Sequence, residues 1–486
     1  MSFTGPEFVF FLPLALLVYW ALPRRTALQN AWLLLCSYVF YWTWDTRLLG
    51  LLVAGSLLDY LVTGALGRHP GGGAHTGRRR TLLALSLTFD LGALAFFKYE
   101  GFFADSLNAA ARAVGLDLGV TALDLLLPFG ISFYTLQRIG YVIDVYWGRS
   151  PACKSLLQFL LFCCFFPQLT SGPIARGSEL LPQLAKPRHP SLAMAWAGAS
   201  AILLGFILKA FIAQTIGAAW VDPVFAAPAG YSGAAHWLAL AGFAMQVFAD
   251  FGGYSLMAIG IARTFGIELP ANFNFPFLSR SLPEIWRRWH MSLNRWLFDF
   301  IYTPLVTSRG WFRGRFDSAL VLTFLASGLW HGASWPYLTW GIMQGFGMIV
   351  HRHWDEFYRA RCRVDRSWVA LRRSAWYGAG AGVLTAGFFV LSMLPFRAHS
   401  IADAATFGAG LIGAGGAQGP DLGKYPLLCA LFIAGYHALQ VGRPRLLAQR
   451  FLEFPAPIRG MVYGAMIVVV ILKLPRAVGT FIYQQF

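Results

Sequence analysis

Residues 319–332 read ALVLTFLASGLWHG. From Ala319 to Trp330 the run contains no ionisable side chain, and His331 then stands directly before Gly332. This composition predicts an apolar helix at membrane depth, where an ionisable side chain is costly and usually faces a cavity with a function. The alternative is a histidine that is capped and hydrogen-bonded at a helix end. A buried, neutral imidazole near pH 7 could take a proton from a hydroxyl group, so His331 is the first candidate catalytic residue.

The composition of the whole chain is that of a membrane protein. Its 486 residues are 57% hydrophobic and only 13% charged, against about 25% charged residues in an average soluble domain. Because backbone amides in lipid must be satisfied internally, the apolar runs predict helices. The alternation of apolar and polar residues that a barrel needs is absent. No polar linker divides the chain, so the fold class predicted is an all-α polytopic membrane domain over residues 1–486.

Apolar runs recur along the chain, and several reach the 17–25 residues, roughly, that cross a hydrocarbon core of about 30 Å. The run Leu156–Phe166 is too short to span and predicts a re-entrant piece. Together the runs predict roughly 11–13 membrane segments. The runs are Phe3–Leu22, Leu28–Trp44, Leu48–Leu66, Leu82–Phe97, Val120–Tyr146, Leu156–Phe166, Leu192–Ile216, Trp237–Ile261, Ala319–His331, Tyr337–Val350, Trp376–Pro395, Tyr425–Leu439 and Gly460–Leu474.

The net charge of +17 comes largely from arginines in short loops between these runs. Basic residues collect on the cytoplasmic side of membrane proteins. This rule places the loop Gly67–Arg80 and the stretch His351–Arg373 in the cytoplasm and the N-terminus outside. The first run has no basic residue before it, which predicts a retained helix and not a cleaved signal peptide. Nucleic acid is therefore not an expected partner.

Residues 272–344 differ from the rest of the chain, and the part up to Asp299 is too polar to span lipid and too aromatic for an ordinary loop. Pro283 and Glu284 suit the first turn of a helix, where proline loses no hydrogen bond and a carboxylate meets the positive end of the helix dipole. The stretch predicts helices at the membrane surface with tryptophans at headgroup depth. It also contains His290, at the end of the motif WRRWH.

Four arginines of this stretch fall in pairs seven residues apart, Arg280 with Arg287 and Arg288 with Arg295. That spacing predicts that each pair shares one face of a helix. Two interpretations of the arginines stay open. One is anchoring to anionic lipid, and the other is a seat for a phosphorylated cofactor, since the guanidinium fork matches phosphate oxygens.

Other polar residues lie inside apolar runs. Asp250, beside two glycines, is expected to pair with an arginine or to orient a histidine. Asp59 and Asp90 are similar but isolated, which favours bonding between helices. Lys209 is expected to extend to the interface or to pair with a carboxylate.

Familiar soluble-enzyme and metal motifs are absent from the sequence. It contains no P-loop, no GxSxG elbow, no HExxH and no dinucleotide fingerprint. The six cysteines lack the spacing of metal ligands, so no metal is expected. His351 and His353 are interpreted as loop residues, and Gly408–Gly419 as an external loop or short hairpin.

A set of motifs that spans nearly the whole chain resembles the membrane-bound O-acyltransferase family, and within it the bacterial alginate O-acetyltransferase branch. The motifs are LPFGISFY at 127–134, YVIDVY at 141–146, FPQLTSGPIAR at 166–176, DFGGYS at 250–255, WRRWH at 286–290, GLWHG at 328–332 and FIYQQF at 481–486. They occur in the order that the family has.

The resemblance implies a helical bundle around a central tunnel, with N-terminal helices at 1–118, a catalytic core at 119–350 and C-terminal helices at 351–486. His331 matches the catalytic histidine of the family, and His290 matches its second histidine motif. The implied cofactor-binding residues are Arg280, Arg287, Arg288, Arg295 and Trp286, and the arginines would fit the phosphates of coenzyme A. The implied residues of the substrate tunnel are Asp250, Tyr254, Ser255, Trp330 and Asp299.

The implied reaction is transfer of an acyl group, foremost acetyl from cytoplasmic acetyl-CoA, across a bacterial inner membrane. The acceptors are hydroxyl groups of an exopolysaccharide such as alginate, reached through a periplasmic O-acetyltransferase partner of the SGNH type. Three alternatives stay open: D-alanyl transfer from a carrier protein to teichoic acid, a glycan transporter, and a structural scaffold.

Three positions depart from the family pattern. Leu256 stands where the family commonly has Asp, and Phe298 where it usually has Arg. The usual Gly-Gly is replaced near Val306. These departures affect the expected donor side more than the chemistry of His331.

Overall fold

The computed structural model describes residues 1–44, 46–68, 76–123, 125, 127–308 and 310–438, with 455, 457–458, 460–461, 463–464 and 468. Within them the protein is helical and contains no strand; one isolated bridge joins Tyr231 to Gln418. The predicted all-α membrane class is therefore confirmed. The last predicted span, Gly460–Leu474, falls mostly outside the described residues, and the motif at 481–486 falls wholly outside them.

Two compact units divide the chain. The first comprises Met1–Ile202 and Tyr254–Pro270, and the second comprises Leu203–Gly253 and Ala271–Phe486. Helices α10 and α13 contribute residues to both.

The helices of the first unit begin at the N-terminus. They are α1 (Pro6–Ala21), α2 (Thr26–Trp42), α3 (Thr46–Arg68), α4 (Thr76–Leu94), α5 (Glu100–Ala113), α6 (Ile131–Tyr146), α7 (Leu156–Cys164), α8 (Phe166–Leu169), α9 (Gly177–Leu184) and the first part of α10 (Leu192–Phe206). A π-helical turn, Ala95–Tyr99, joins α4 to α5.

The second unit contains the longer helices of the C-terminal half. They are α11 (Gln214–Ile216), α12 (Asp222–Ala226), most of α13 (Gly233–Thr264), α14 (Leu282–Trp286), α15 (Met291–Leu297), α16 (Thr303–Thr307), α17 (Phe316–His331), α18 (Trp335–Val364), α19 (Arg366–Arg373), α20 (Ala375–Arg397), α21 (Ile401–Leu411) and α22 (Lys424–Ala438). The π-helical turns are Ile207–Ala213, Gly217–Val221 and Phe298–Tyr302, and the 3₁₀ turns are Pro228–Gly230 and Pro276–Leu278.

Four helical stretches in the described part are long and apolar enough to cross a membrane: Thr46–Arg68, Gly77–Ala113, Leu192–Ala226 and Ala375–Arg397. Helices α13 and α18 have 32 and 30 residues, long enough to span, but their polar residues keep them out of this group. The count of roughly 11–13 membrane segments therefore stays a prediction.

Three predictions of secondary structure are wrong in part. Helix α6 begins only at Ile131, because Pro128 and the left-handed Gly130 (φ 73°) interrupt the run that starts at Val120. His351 and His353 lie within α18 and not in a loop. The glycine-rich segment remains helical as far as Leu411, the end of α21.

A buried charge cluster joins three helices of the first unit. Arg138 of α6 pairs with Asp59 of α3, Nε to Oδ2 at 3.0 Å, and also with Asp90 of α4. The hydroxyl of Ser86 donates a hydrogen bond of 2.6 Å to Asp59. Arg138, Asp59 and Asp90 are at most 2% exposed. The prediction of helix-to-helix bonding is confirmed, but the two aspartates are not isolated, since they share one arginine.

The carboxylate of Asp250 in α13 pairs with Lys209 in the π-helical turn Ile207–Ala213. The Lys209 Nζ to Asp250 Oδ1 distance is 2.5 Å, and both side chains are buried. Gly253 permits this close approach, because a Cβ there would lie 2.6 Å from the carbonyl oxygen of Gly205. Lys209 therefore pairs with a carboxylate, which was one of its two expected roles, while the partner of Asp250 is a lysine and not an arginine.

Candidate active site

His331 is the last residue of α17 and is only 5% exposed. Gly332 follows in an extended conformation, and Ser334 precedes the first turn of α18, so the chain reverses directly after the histidine. The apolar run that predicted a helix ending in His331 therefore forms that helix.

Glycines let α17 and α18 pack closely behind His331. A Cβ at Gly328 would lie 2.3 Å from the carbonyl oxygen of Tyr337, and one at Gly341 would lie 2.5 Å from the carbonyl oxygen of Phe324. Real Cβ atoms do not approach backbone oxygens so closely, so a methyl group at either position would force the helices apart. The glycines therefore fix the position of His331 relative to α18.

We expect Gly328→Ala to lower the transfer rate at least about tenfold, because overpacking costs roughly 1–3 kcal/mol and a shift of about 1 Å in a catalytic group can cost roughly 100-fold. Gly387→Ala on α20 is the matched control, since no atom lies within 4 Å of the added methyl group. Transfer rates are measured at equal protein levels in membranes. Equal activity of the two variants would contradict this role of the α17–α18 contact.

Aromatic rings surround the imidazole of His331. Its ring centroid lies 4.9 Å from Trp330, 5.1 Å from Trp340 of α18 and 5.1 Å from Phe396 of α20. Trp340 and Phe396 also contact each other, with 5.2 Å between centroids. These rings restrict the orientation of the histidine. The sequence analysis did not identify Trp340 or Phe396, because a single aromatic residue in an apolar helix is indistinguishable from ordinary packing.

His290 precedes α15 in a left-handed conformation, with φ 43° and ψ 51°. Such a backbone is uncommon for a residue other than glycine and is concentrated at functional sites. Asn272 holds the turn: its Oδ1 lies 3.3 Å from His290 Nδ1 and accepts a 2.8 Å hydrogen bond from the hydroxyl of Ser292. The ring centroids of His290 and His331 are 6.4 Å apart. Burial lowers the pKa of His290 to about 3, which leaves the imidazole neutral.

One cavity of about 430 Å³ contains both histidines in its wall. Its polar lining residues are Arg287, His290, Asn294, Arg295, Tyr302, Thr323, Ser327 and His331. Its other lining residues are Pro283, Trp286, Leu293, Leu297, Phe298, Leu320, Phe324 and Met348. Phe298, one of the departures from the family pattern, is thus part of the cavity wall.

The four arginines have different positions. Arg287 and Arg295 line the cavity. Arg288 pairs with Glu284 at 2.8 Å, and the guanidinium of Arg280 lies against Gly378 of α20. Neither of these two lines the cavity.

The helical-face prediction for the arginine pairs is wrong. Helix α14 begins at Leu282, with Ser281 as its cap and Pro283 in its first turn as expected, but it ends at Trp286. The turn through His290 then separates it from α15. A spacing of seven therefore does not place the arginines of either pair on one helix.

None of the five residues predicted for a substrate tunnel lines this cavity. Asp250 pairs with Lys209, and Trp330 contacts both histidine rings. Asp299 belongs to the π-helical turn Phe298–Tyr302. Tyr254 and Ser255 are buried in the first unit, where the Tyr254 hydroxyl contacts that of Thr170. Their role in a tunnel stays a prediction.

Among the residues that the structure describes, no group of three His, Cys, Asp or Glu side chains could hold a metal ion. The cavity combines two buried imidazoles, two guanidinium groups and a largely apolar wall. That combination suits acid–base chemistry on a ligand with an anionic end.

Comparison with known proteins identifies a family profile, membrane-bound O-acyltransferase, that matches residues 153–379. This range includes every residue of the cavity wall.

Three relatives illustrate the range of similar proteins. A probable alginate O-acetylase of Azotobacter vinelandii is 38% identical over 377 residues, 77% of this chain and 72% of the relative. A peptidoglycan O-acetyltransferase of Helicobacter pylori is 31% identical over 457 residues, 87% of this chain and 82% of the relative. A teichoic acid D-alanyltransferase of Streptococcus thermophilus is 33% identical over 238 residues, 46% of this chain and 57% of the relative.

Proposed function

This chain belongs to the membrane-bound O-acyltransferase family and is a multi-pass membrane enzyme of acyl transfer, and from that premise we propose that it moves acetyl groups from acetyl-CoA to hydroxyl groups of a polysaccharide outside the cytoplasm. The observation that carries the proposal is the presence of His331, His290, Arg287 and Arg295 in the wall of one cavity. Membership of an enzyme family argues against the transporter and scaffold alternatives.

The cavity suits the thioester end of the donor. Its volume of about 430 Å³ lies within the range of roughly 300–1,000 Å³ that is usual for small-molecule sites. Coenzyme A carries its acyl group on a pantetheine arm, which alternates apolar carbons with amides. A mostly apolar wall with Asn294, Thr323 and Ser327 offers partners for both kinds of group. This supports a thioester donor, whether free or attached to a carrier.

The arginines support a phosphorylated donor. Arg287 and Arg295 line the cavity, so its wall contains two guanidinium groups. Guanidinium groups bind phosphate oxygens in a bidentate manner, and coenzyme A carries phosphates beyond the pantetheine arm.

His331 is the proposed general base. It removes the proton from the acceptor hydroxyl as the oxygen attacks the carbonyl carbon of the thioester. The carbon–sulfur bond then breaks, and the departing thiolate takes up the proton from the imidazolium. The products are an ester and a free thiol. General base catalysis of this kind contributes roughly 10²–10⁴-fold to a rate.

The direction of transfer follows from the proposed topology. The donor is bound on the cytoplasmic side of a bacterial inner membrane, the N-terminus lies in the periplasm, and a periplasmic O-acetyltransferase completes delivery to the polymer. The names of the relatives support a polysaccharide outside the cytoplasm as the acceptor, with alginate as one candidate.

The proposal is tested with membranes that contain the protein and with matched membranes that lack it. Acetyl-CoA labelled in the acetyl group is supplied together with an exopolysaccharide and the periplasmic extract of the source cells. We expect alkali-labile label in the polymer only when the protein is present.

D-alanyl transfer is the competing outcome, since one relative is a teichoic acid D-alanyltransferase. A second reaction therefore supplies D-alanine as a thioester on a carrier protein. Transfer from the carrier in the absence of transfer from acetyl-CoA would contradict the proposed donor and favour the alternative.

A further inference from the structure

Trp286 lines the cavity that contains His331, and its indole N–H is a buried hydrogen-bond donor. Trp286 ends α14 and is 7% exposed. Its ring contacts Phe324 at 5.3 Å and Trp340 at 5.8 Å between centroids. Among the residues that the structure describes, none accepts a hydrogen bond from its Nε1.

A donor in this position requires an explanation. Leaving a buried N–H without an acceptor is unfavourable, and native proteins satisfy the great majority of such groups. Packing alone would be served by phenylalanine, which has no N–H to satisfy. An acceptor that arrives with the substrate would account for the tryptophan.

The neighbours of Trp286 indicate what that acceptor is. Trp340, which contacts Trp286 edge to face, also contacts the ring of His331 at 5.1 Å. The ring of Trp340 therefore contacts both Trp286 and the proposed base, and Trp286 and His331 line the same cavity. The group that must lie close to this base during transfer is the carbonyl group of the thioester.

We propose that the indole N–H of Trp286 donates a hydrogen bond to the carbonyl oxygen of the acyl thioester and stabilises the oxyanion that forms during transfer. The inference rests on the proposed function. When the acceptor oxygen bonds to the carbonyl carbon, the C=O π electrons move to the carbonyl oxygen, which becomes negatively charged. They return to re-form the C=O bond as the thiolate leaves with the carbon–sulfur electron pair. The indole proton stays on Nε1 throughout.

Two other donors near His331 fit this role less well. Arg287 is exposed and suits the phosphates of the donor. Trp340 has a buried Nε1 without an acceptor in the described part of the chain, but it does not line the cavity. Trp286 combines burial, an unsatisfied N–H and a position in the wall.

The test replaces only the N–H group. Benzothienylalanine, a tryptophan isostere with sulfur in place of the indole N–H, is incorporated at position 286. The matched control carries the same replacement at Trp289, which belongs to the same sequence motif, is 4% exposed and does not line the cavity. Trp286→Phe serves as a second variant without an N–H. Rates with acetyl-CoA are measured at equal membrane protein levels, together with the melting temperature in detergent.

We expect both variants at position 286 to lose roughly 10²–10³-fold in kcat, the usual effect of removing one oxyanion donor. KM for acetyl-CoA should change less than about threefold, because the bond strengthens mainly in the transition state. The melting temperature of the isosteric variant should match that of the Trp289 control. A purely packing role would spare kcat in the isosteric variant.

The outcomes separate this inference from the proposed function. An active wild type with unchanged kcat after the isosteric replacement at 286 would overturn the role of Trp286 and leave the proposed function intact. A wild type that transfers no acetyl from acetyl-CoA would overturn the proposed function and this inference with it.

Discussion

Exchanging His331 for alanine is expected to lower acyl transfer by roughly 10²–10⁴-fold, because the exchange removes the general base from the reaction. The side chain lies at the end of α17 in the wall of the cavity, with Trp330, Trp340 and Phe396 around its ring. Polymer-linked ester is measured in cells that contain equal amounts of wild type and variant in the membrane. His331→Gln tests the base itself, since it retains a polar side chain that cannot accept a proton at neutral pH.

A matched control separates catalysis from folding. His437 in α22 is 3% exposed, comparable with His331, but it does not line the cavity. His437→Gln should therefore retain most of the transfer activity. Full activity of His331→Ala would exclude His331 as the base and direct attention to His290, which lines the same cavity. Loss of membrane protein in His331→Ala alone would indicate a structural role.

The sequence was most informative where a single polar residue stands inside an apolar run. His331 stands out because the preceding run contains no ionisable group, and the cost of such a group at membrane depth makes it conspicuous. Asp250 and Lys209 stand out for the same reason, and the structure pairs them. A residue whose chemistry opposes its environment can thus be recognised from local sequence alone.

The surroundings of the site were less predictable, since they depend on contacts between distant segments. Trp340 and Phe396 have the same character as many other aromatic residues in apolar helices. The spacing of Arg288 and Arg295 predicted a common helical face, but His290 takes a left-handed conformation between them. Local periodicity cannot indicate such a break, because the turn depends on bonds to Asn272, which is remote in sequence.

Apolar runs inside α13 and α18 are recognisable in the sequence. The whole helices, of 32 and 30 residues, also contain polar residues, and neither is among the four stretches that are long and apolar enough to cross a membrane. Their polar residues are satisfied by other parts of the protein, as in the pair between Asp250 and Lys209.

A large effect is also expected at Arg138. Its replacement by methionine should prevent the accumulation of folded protein. The guanidinium pairs with Asp59 and Asp90, and it occupies the space beside Gly55, where a Cβ would lie 2.3 Å from Arg138 Nη1. Removing one partner of a buried ion pair costs roughly 3–5 kcal/mol, and here two carboxylates would lose the same cation. Total stabilities of domains are only about 5–15 kcal/mol, so the loss is large.

The rescue variant makes this prediction specific to charge. Replacing all three residues by apolar ones, Arg138→Met with Asp59→Leu and Asp90→Leu, removes the buried charges together, and such replacements are often neutral or stabilising. We expect size-exclusion chromatography in detergent to show little folded protein for Arg138→Met and a restored monodisperse peak for the triple variant. Because the cluster joins α3, α4 and α6 and contains no residue of the cavity wall, the triple variant should also transfer acyl groups. A triple variant that folds but is inactive would show that the cluster takes part in transfer, whereas a stable Arg138→Met variant would show that the aspartates are satisfied without the arginine.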